Sequence, residues 1–197
     1  MKTLIIKFQF DGTDFVGWQM QPKQRSLQGE LTKAFKKRTG VDYKIIASGR
    51  TDAGVHGVAQ IATISIDEFS IPETKIVPAI NTMLPNDIQL IDAQIIESDY
   101  NARFDAISRE YSYYLTSDYS VFKRRYYAHF RGNLNLNLMN ESSKYIIGKH
   151  DFTTFSKVNN DLNHYMCDVE YCHWVRINET DVKLSIKSNR FVYSMVR

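Results

Sequence analysis

Hydrophobic and polar residues alternate from the start of the chain. Ile6, Phe8 and Phe10 are interleaved with Lys7 and Gln9, which predicts a strand over 3–10. The period then changes. Over 26–39, Leu27, Leu31, Ala34 and Phe35 recur at helical spacing behind Ser26, a good N-cap residue. Lys33, Lys36 and Lys37 fall largely on the opposite face, read by default as solvated. Strand-like residues follow at 43–48, then a Gly-rich turn, then a β-branched run at 58–66. A helix is expected over 72–83, with Pro72 suited to its first turn and Pro78 shortening or kinking it. A strand over 88–97 completes a β-α-β-β-α-β order, that of a ferredoxin-like half.

The pattern resumes beyond residue 100. Strands are expected near 108–116 and 124–130, and a helix near 138–148. A hairpin is expected with strands at 167–177 and 181–188 around Asn178, Glu179 and Thr180. Residues 189–197 read as the start of a helix capped by Asn189, with Phe191 and Met195 on one face. Two related α+β halves are expected, 1–102 and 103–197, with mainly antiparallel sheets that join. The second lacks the closing elements of the first.

Composition changes this picture little. The chain has 197 residues, 43% hydrophobic and 24% charged, which is ordinary globular usage. No apolar run approaches the roughly 20 residues of a membrane span, and the start lacks the features of a signal peptide. A soluble cytosolic protein is expected, without membrane association. Cys167 and Cys172 lack zinc-ligand spacing and read as reduced core thiols. The net charge of +3 is too small to name a partner. Two basic clusters say more: Lys33, Lys36, Lys37 and Arg38, and Lys123, Arg124 and Arg125. With 12 Tyr in the chain, basic residues beside aromatic ones suit RNA.

The sharpest local feature is GRTDAGVHG at 49–57. Gly49, Gly54 and Gly57 mark a tight loop between two strands, holding Arg50, Thr51, Asp52 and His56. The spacing fits neither a P-loop nor a dinucleotide fold, and no second carboxylate stands nearby for glycosidase chemistry. On residues alone two readings stay open. One is a lone Asp nucleophile or base beside an Arg. The other is a hairpin loop with an Asx-turn and an Arg–Asp surface pair.

The same string resembles the catalytic loop of the TruA family of tRNA pseudouridine synthases. The resemblance covers essentially the whole chain. It is carried also by FDGTDFVGWQ, SLQGEL, NTMLPNDI, YNARFDAISREYSYYL, KHDFTTFSK and FVYSMVR, in that order. It implies an α+β fold of two ferredoxin-like or RRM-like halves joined around a central catalytic cleft. The implied activity is isomerisation of uridine to pseudouridine in the anticodon stem-loop of tRNA, at positions 38, 39 and/or 40. It implies a homodimer and requires no cofactor and no metal. By position, Asp52 resembles the family's essential carboxylate and Arg50 the residue that helps turn the base out of its stack. Tyr111 resembles the tyrosine that stacks on the target uracil. Arg197 resembles the cation paired with the catalytic Asp. Arg103 implies a structural or phosphate-binding role, and His56 a hydrogen-bonding role in the loop. Family members continue past M-V-R into a core helix, so a truncated second half is expected. The stretch 159–172 holds fewer cations than the family's basic segment there. Two other classes remain: an RNA-binding or RNA-chaperone protein that lost catalysis, and a non-RNA hydrolase using Asp52 and His56.

Overall fold

The computed structural model describes residues 2–157 and 164–197. The chain divides into two compact units, one ending at Ala106 and one beginning at Ile107.

The first unit opens with β1 (Lys2–Phe10), where alternation places Leu4, Ile6, Phe8 and Phe10 inside. Helix α1 (Leu27–Thr39) starts where the sequence predicts: the Ser26 side chain accepts the Gly29 N–H, and Leu27, Leu31, Ala34 and Phe35 are buried. Its lysines are solvated, with Lys33 paired to Glu30 and Lys36 to Asp42. The next strand, β2 (Ile45–Ala47), is shorter than expected. β3 (Gly57–Ile66), α2 (Glu73–Asn81) and β4 (Ile88–Ile96) follow. Pro72 sits at the N-cap of α2, one position earlier than expected, and Pro78 is accommodated near the end of this short helix. Asn81 then ties α2 to the sheet, donating to Leu90 O at 3.0 Å and accepting from Leu90 N at 2.8 Å. The sheet order β2-β3-β1-β4, antiparallel throughout, is that of a ferredoxin-like fold. Residues from all four strands and the two long helices form one core. A short helix, α3 (Ala102–Asp105), follows.

The second unit holds β5 (Arg109–Thr116), β6 (Ala128–His129), α4 (Leu136–Ser143), β7 (Gly148–Asp151), β8 (Met166–Arg176) and β9 (Asp181–Ser188). The order β6-β5-β9-β8-β7 places β5, β9 and β8 as β1, β3 and β2 lie in the first unit. The place that β4 takes beside β1 is taken beside β5 by the two-residue β6, running parallel. Cys167 and Cys172 are buried free thiols, and burial raises both above the usual thiol range.

Three expectations in this unit are corrected. The strand expected over 124–130 is reduced to β6. The amides of Tyr126 and Tyr127 both donate to Lys123 O, making a turn, and the Lys123 ammonium is drawn to buried Asp181 at 2.7 Å. The helix expected at 138–148 begins earlier, capped by Asn135, and its expected last turn forms a 3-10 turn and the start of β7. The helix expected at 189–197 is absent. Asn189 caps nothing there: its side chain accepts from Asp168 N at 2.9 Å, which binds it to β8. Ser194, at φ 63°, breaks the helical path, leaving a turn over 193–196. The thinly charged stretch 159–172 lies partly outside the described residues.

Candidate functional site

The loop between β2 and β3 is held mostly by main chain. Its base is closed by Ser48 N donating to Ile61 O and by the Gln60 side chain donating to Gly49 O, both at 2.9 Å. Its middle is met by the turn after β1. Trp18 N donates to Thr51 O at 3.0 Å, Gly54 N donates to Phe15 O at 3.3 Å, and Gly17 and Asp52 form an isolated antiparallel bridge. Two glycines permit this approach. Gly17 adopts φ +106°, where L side chains are disfavoured, and a methyl group there would overlap the Thr51 carbonyl oxygen. A methyl group at Gly12 would overlap the Val55 carbonyl oxygen.

The turn that holds the loop is itself anchored. Asp11 N donates to Asp87 O, Val16 N to Arg25 O, and Leu27 N to Gly17 O. Arg25 binds Asp87 through two parallel bonds of 2.6 and 2.8 Å and lies over the Phe15 ring at 4.1 Å. The Asp87 carboxylate raises the guanidinium above its ordinary range. His56 joins the turn at the far end of the loop. Its Nδ1 accepts the Gly12 amide at 3.1 Å and lies 3.1 Å from Asp11 Oδ1. His56 therefore holds a hydrogen-bonding place.

Within this frame Arg50 is exposed and Asp52 half-buried, two residues apart on one loop. Thr51 Oγ1, between them, is buried and has no hydrogen-bond partner among the described residues. Asn101 caps α3 through Arg103 N at 3.0 Å, and the Arg103 guanidinium lies 5.6 Å from the Phe104 ring.

In the second unit Tyr111 stands on β5 opposite Ile186 of β9. It is half-buried and meets the Phe191 ring edge-to-face at 5.0 Å. Arg197 is exposed, and its amide donates to Ser194 O at 3.1 Å. Val192, Met195 and Val196, just before it, pack into the core that includes Tyr111. The structure thus places Arg50 with Asp52 on one loop, and Tyr111 near the segment leading to Arg197.

Residue-level reading of the sequence left out Gly12 and Gly17. The signal was present in the pattern Gly12-x-x-Phe15-x-Gly17-Trp18, glycines set among aromatic residues. Among the described residues no three His, Cys, Asp or Glu side chains cluster as a metal site would need. No helix among them is long and apolar enough to cross a membrane.

Comparison with known proteins places this geometry in context. A family model described as tRNA pseudouridine synthase matches residues 6–105 and 143–197. Arg50, Asp52 and Arg197 lie inside the matched segments and Tyr111 between them. The chain is 35% identical over 192 residues to tRNA pseudouridine synthase A of Bacillus pumilus, covering 95% of this chain and 77% of that protein. It is 36% identical to the protein of that name from Brachyspira hyodysenteriae, covering 100% and 80%. With the one from Chlorobium phaeobacteroides identity is 37%, covering 100% and 76%.

Proposed function

The chain belongs to the tRNA pseudouridine synthase family, and from that membership we propose that it isomerises uridines of the tRNA anticodon stem-loop, at positions 38, 39 and/or 40, with Asp52 as the carboxylate that acts on the nucleoside. As a tRNA pseudouridine synthase it is an isomerase. In the reaction the bond from N1 of uracil to C1′ breaks, the base turns, and C5 bonds to C1′. The proton on C5 leaves and N1 gains one, so no atom is added overall.

The observation that carries the reading is the holding of Asp52. A carboxylate that must meet one sugar or base carbon has to be placed before substrate arrives, because misplacement by about 1 Å can slow a reaction on the order of a hundredfold. The bridge to Gly17 and the Trp18–Thr51 bond, which hold the backbone at Asp52, support that reading. Arg50, exposed two residues earlier, is suited to filling the gap left by a flipped base. Tyr111 offers a ring for the uracil. Arg197, exposed on the second unit, supplies a cation for binding the substrate. The active species is a homodimer in the cytoplasm.

The test is tritium release from tRNA labelled at uridine C5, with the chain and its Asp52→Ala variant. Release by the chain and none by the variant supports the reading. No release by either, on tRNA lacking prior modification, overturns it.

A further inference from the structure

The segment between β5 and α4 presents a surface that the proposed chemistry does not use. It lies between the two stretches matched by the family model. From Tyr119 to Asn140 the sequence contains no carboxylate, while Lys123, Arg124, Arg125 and Arg131 are all in it. Lys123 is engaged internally. Its ammonium meets both Asp181 oxygens at 2.8 and 2.7 Å, and lies 5.4 Å from the Tyr127 ring. Tyr127 in turn packs on Tyr114 of β5. The turn is therefore pegged to its sheet by a buried carboxylate and a ring pair.

What this peg holds outward is unusual for a soluble surface. Phe122 is 89% exposed, and Tyr119, Tyr126 and Phe130 are exposed with it. Arg124, Arg125 and Arg131 are exposed among them. One Arg124 N–H donates to Val121 O, setting that guanidinium over the turn. Exposed rings on a fixed segment mark a binding surface, and the cations make the partner anionic. Flat rings interleaved with guanidinium groups match unstacked bases flanked by phosphates. A duplex backbone would use the arginines and leave the rings idle. A second copy of this chain in a two-fold contact would set the same cations against one another. Asp181, which Lys123 engages, is buried and ion-paired, and exposed Asp118 adjoins the surface just before Tyr119.

We propose that residues 119–131 bind unstacked nucleotides of the tRNA other than the one that reacts. This rests on the functional reading above, for the identity of the RNA. The test uses the whole chain and labelled tRNA, with affinity read by fluorescence anisotropy over a range of salt concentrations. Phe122→Ala is expected to weaken binding roughly tenfold with little change in salt dependence, since it removes a stacking ring. Arg124→Ala with Arg131→Ala is expected to weaken binding and to flatten the salt slope by about two. At saturating enzyme, both variants should isomerise uridine in a single turnover within about twofold of the parent. That last result separates a grip on RNA from a general structural role.

Parent-like affinity in both variants overturns the proposal, as does a parent chain that binds no tRNA. A change in sedimentation of the free variants with tRNA affinity unaltered also overturns it, assigning the surface to a second copy. Binding through this surface by a chain that makes no pseudouridine would leave the proposal standing and remove the enzyme reading instead.

Discussion

Gly17 and Asp52 pair backbone to backbone, and the glycine's φ of +106° is what lets the two segments touch. Gly17→Ala sets a methyl group against the Thr51 carbonyl oxygen and 3.1 Å from the Asp52 carbonyl carbon. The disfavoured φ alone should destabilise the fold by about 1–2 kcal/mol. Displacement of Asp52 should slow turnover on the order of a hundredfold. Thermal unfolding and tritium release read the two effects separately. Full turnover in the variant would show that this bridge does not position the carboxylate.

Asp52→Asn keeps the shape of the side chain and removes its charge. Turnover should vanish while tRNA affinity stays close to that of the parent. Equal loss of both would make Asp52 a structural residue. Arg50→Ala, on the same loop, should weaken turnover more than binding. Equal weakening would remove its part in turning out the base.

Thr51→Val replaces a hydroxyl by a methyl of the same shape. Since Oγ1 is buried and has no partner among the described residues, no hydrogen bond there is lost. The variant should match the parent in stability or exceed it, by up to about 1 kcal/mol. A clear drop in melting temperature would show that the hydroxyl is bonded in solution.

The second unit should respond to acid through Asp181. Burial raises its pKa, but hydrogen bonds from Lys123, Thr116, Asn178 and Thr180 outweigh this, and the carboxylate lies below its ordinary range. A group depressed in the folded state stabilises fully above its unfolded pKa of about 4. That contribution is lost as pH falls through the folded value. Asp181→Asn should cost about 2–3 kcal/mol, less than for a fully buried pair because Lys123 is about one-third exposed. The variant's stability should also fall less steeply below pH 4 than the parent's, as measured by urea unfolding across that range. An unchanged slope would assign the acid response to other groups.

Much of this fold is written locally. Leu4, Ile6, Phe8 and Phe10 state a half-buried strand within one stretch, and Ser26 with Leu27 and Leu31 states a capped amphipathic helix. What failed depended on partners distant in sequence. Lys123, Arg124 and Arg125 read as one basic cluster, yet the first is turned inward by a carboxylate 58 positions later. Asn189 has the side chain of a helix cap, and β8 claims it instead. In the candidate site, the glycine-rich loop and its Asp were legible from composition and order. The clamp from Gly12 and Gly17 was marked only by glycines set among aromatic residues, because a close approach of two backbones leaves no periodic trace.

The Asp52 loop is measured in peptide groups. Apart from the Gly12 amide on His56 Nδ1, its hydrogen bonds to the turn after β1 run from amide to carbonyl. The length of that turn is therefore fixed. One residue inserted between Phe10 and Trp18 would offset these donors from their acceptors and shift Phe15, which is buried in the core of the unit. Such a protein would lose some stability and, above all, hold its carboxylate out of reach of the carbon it must meet.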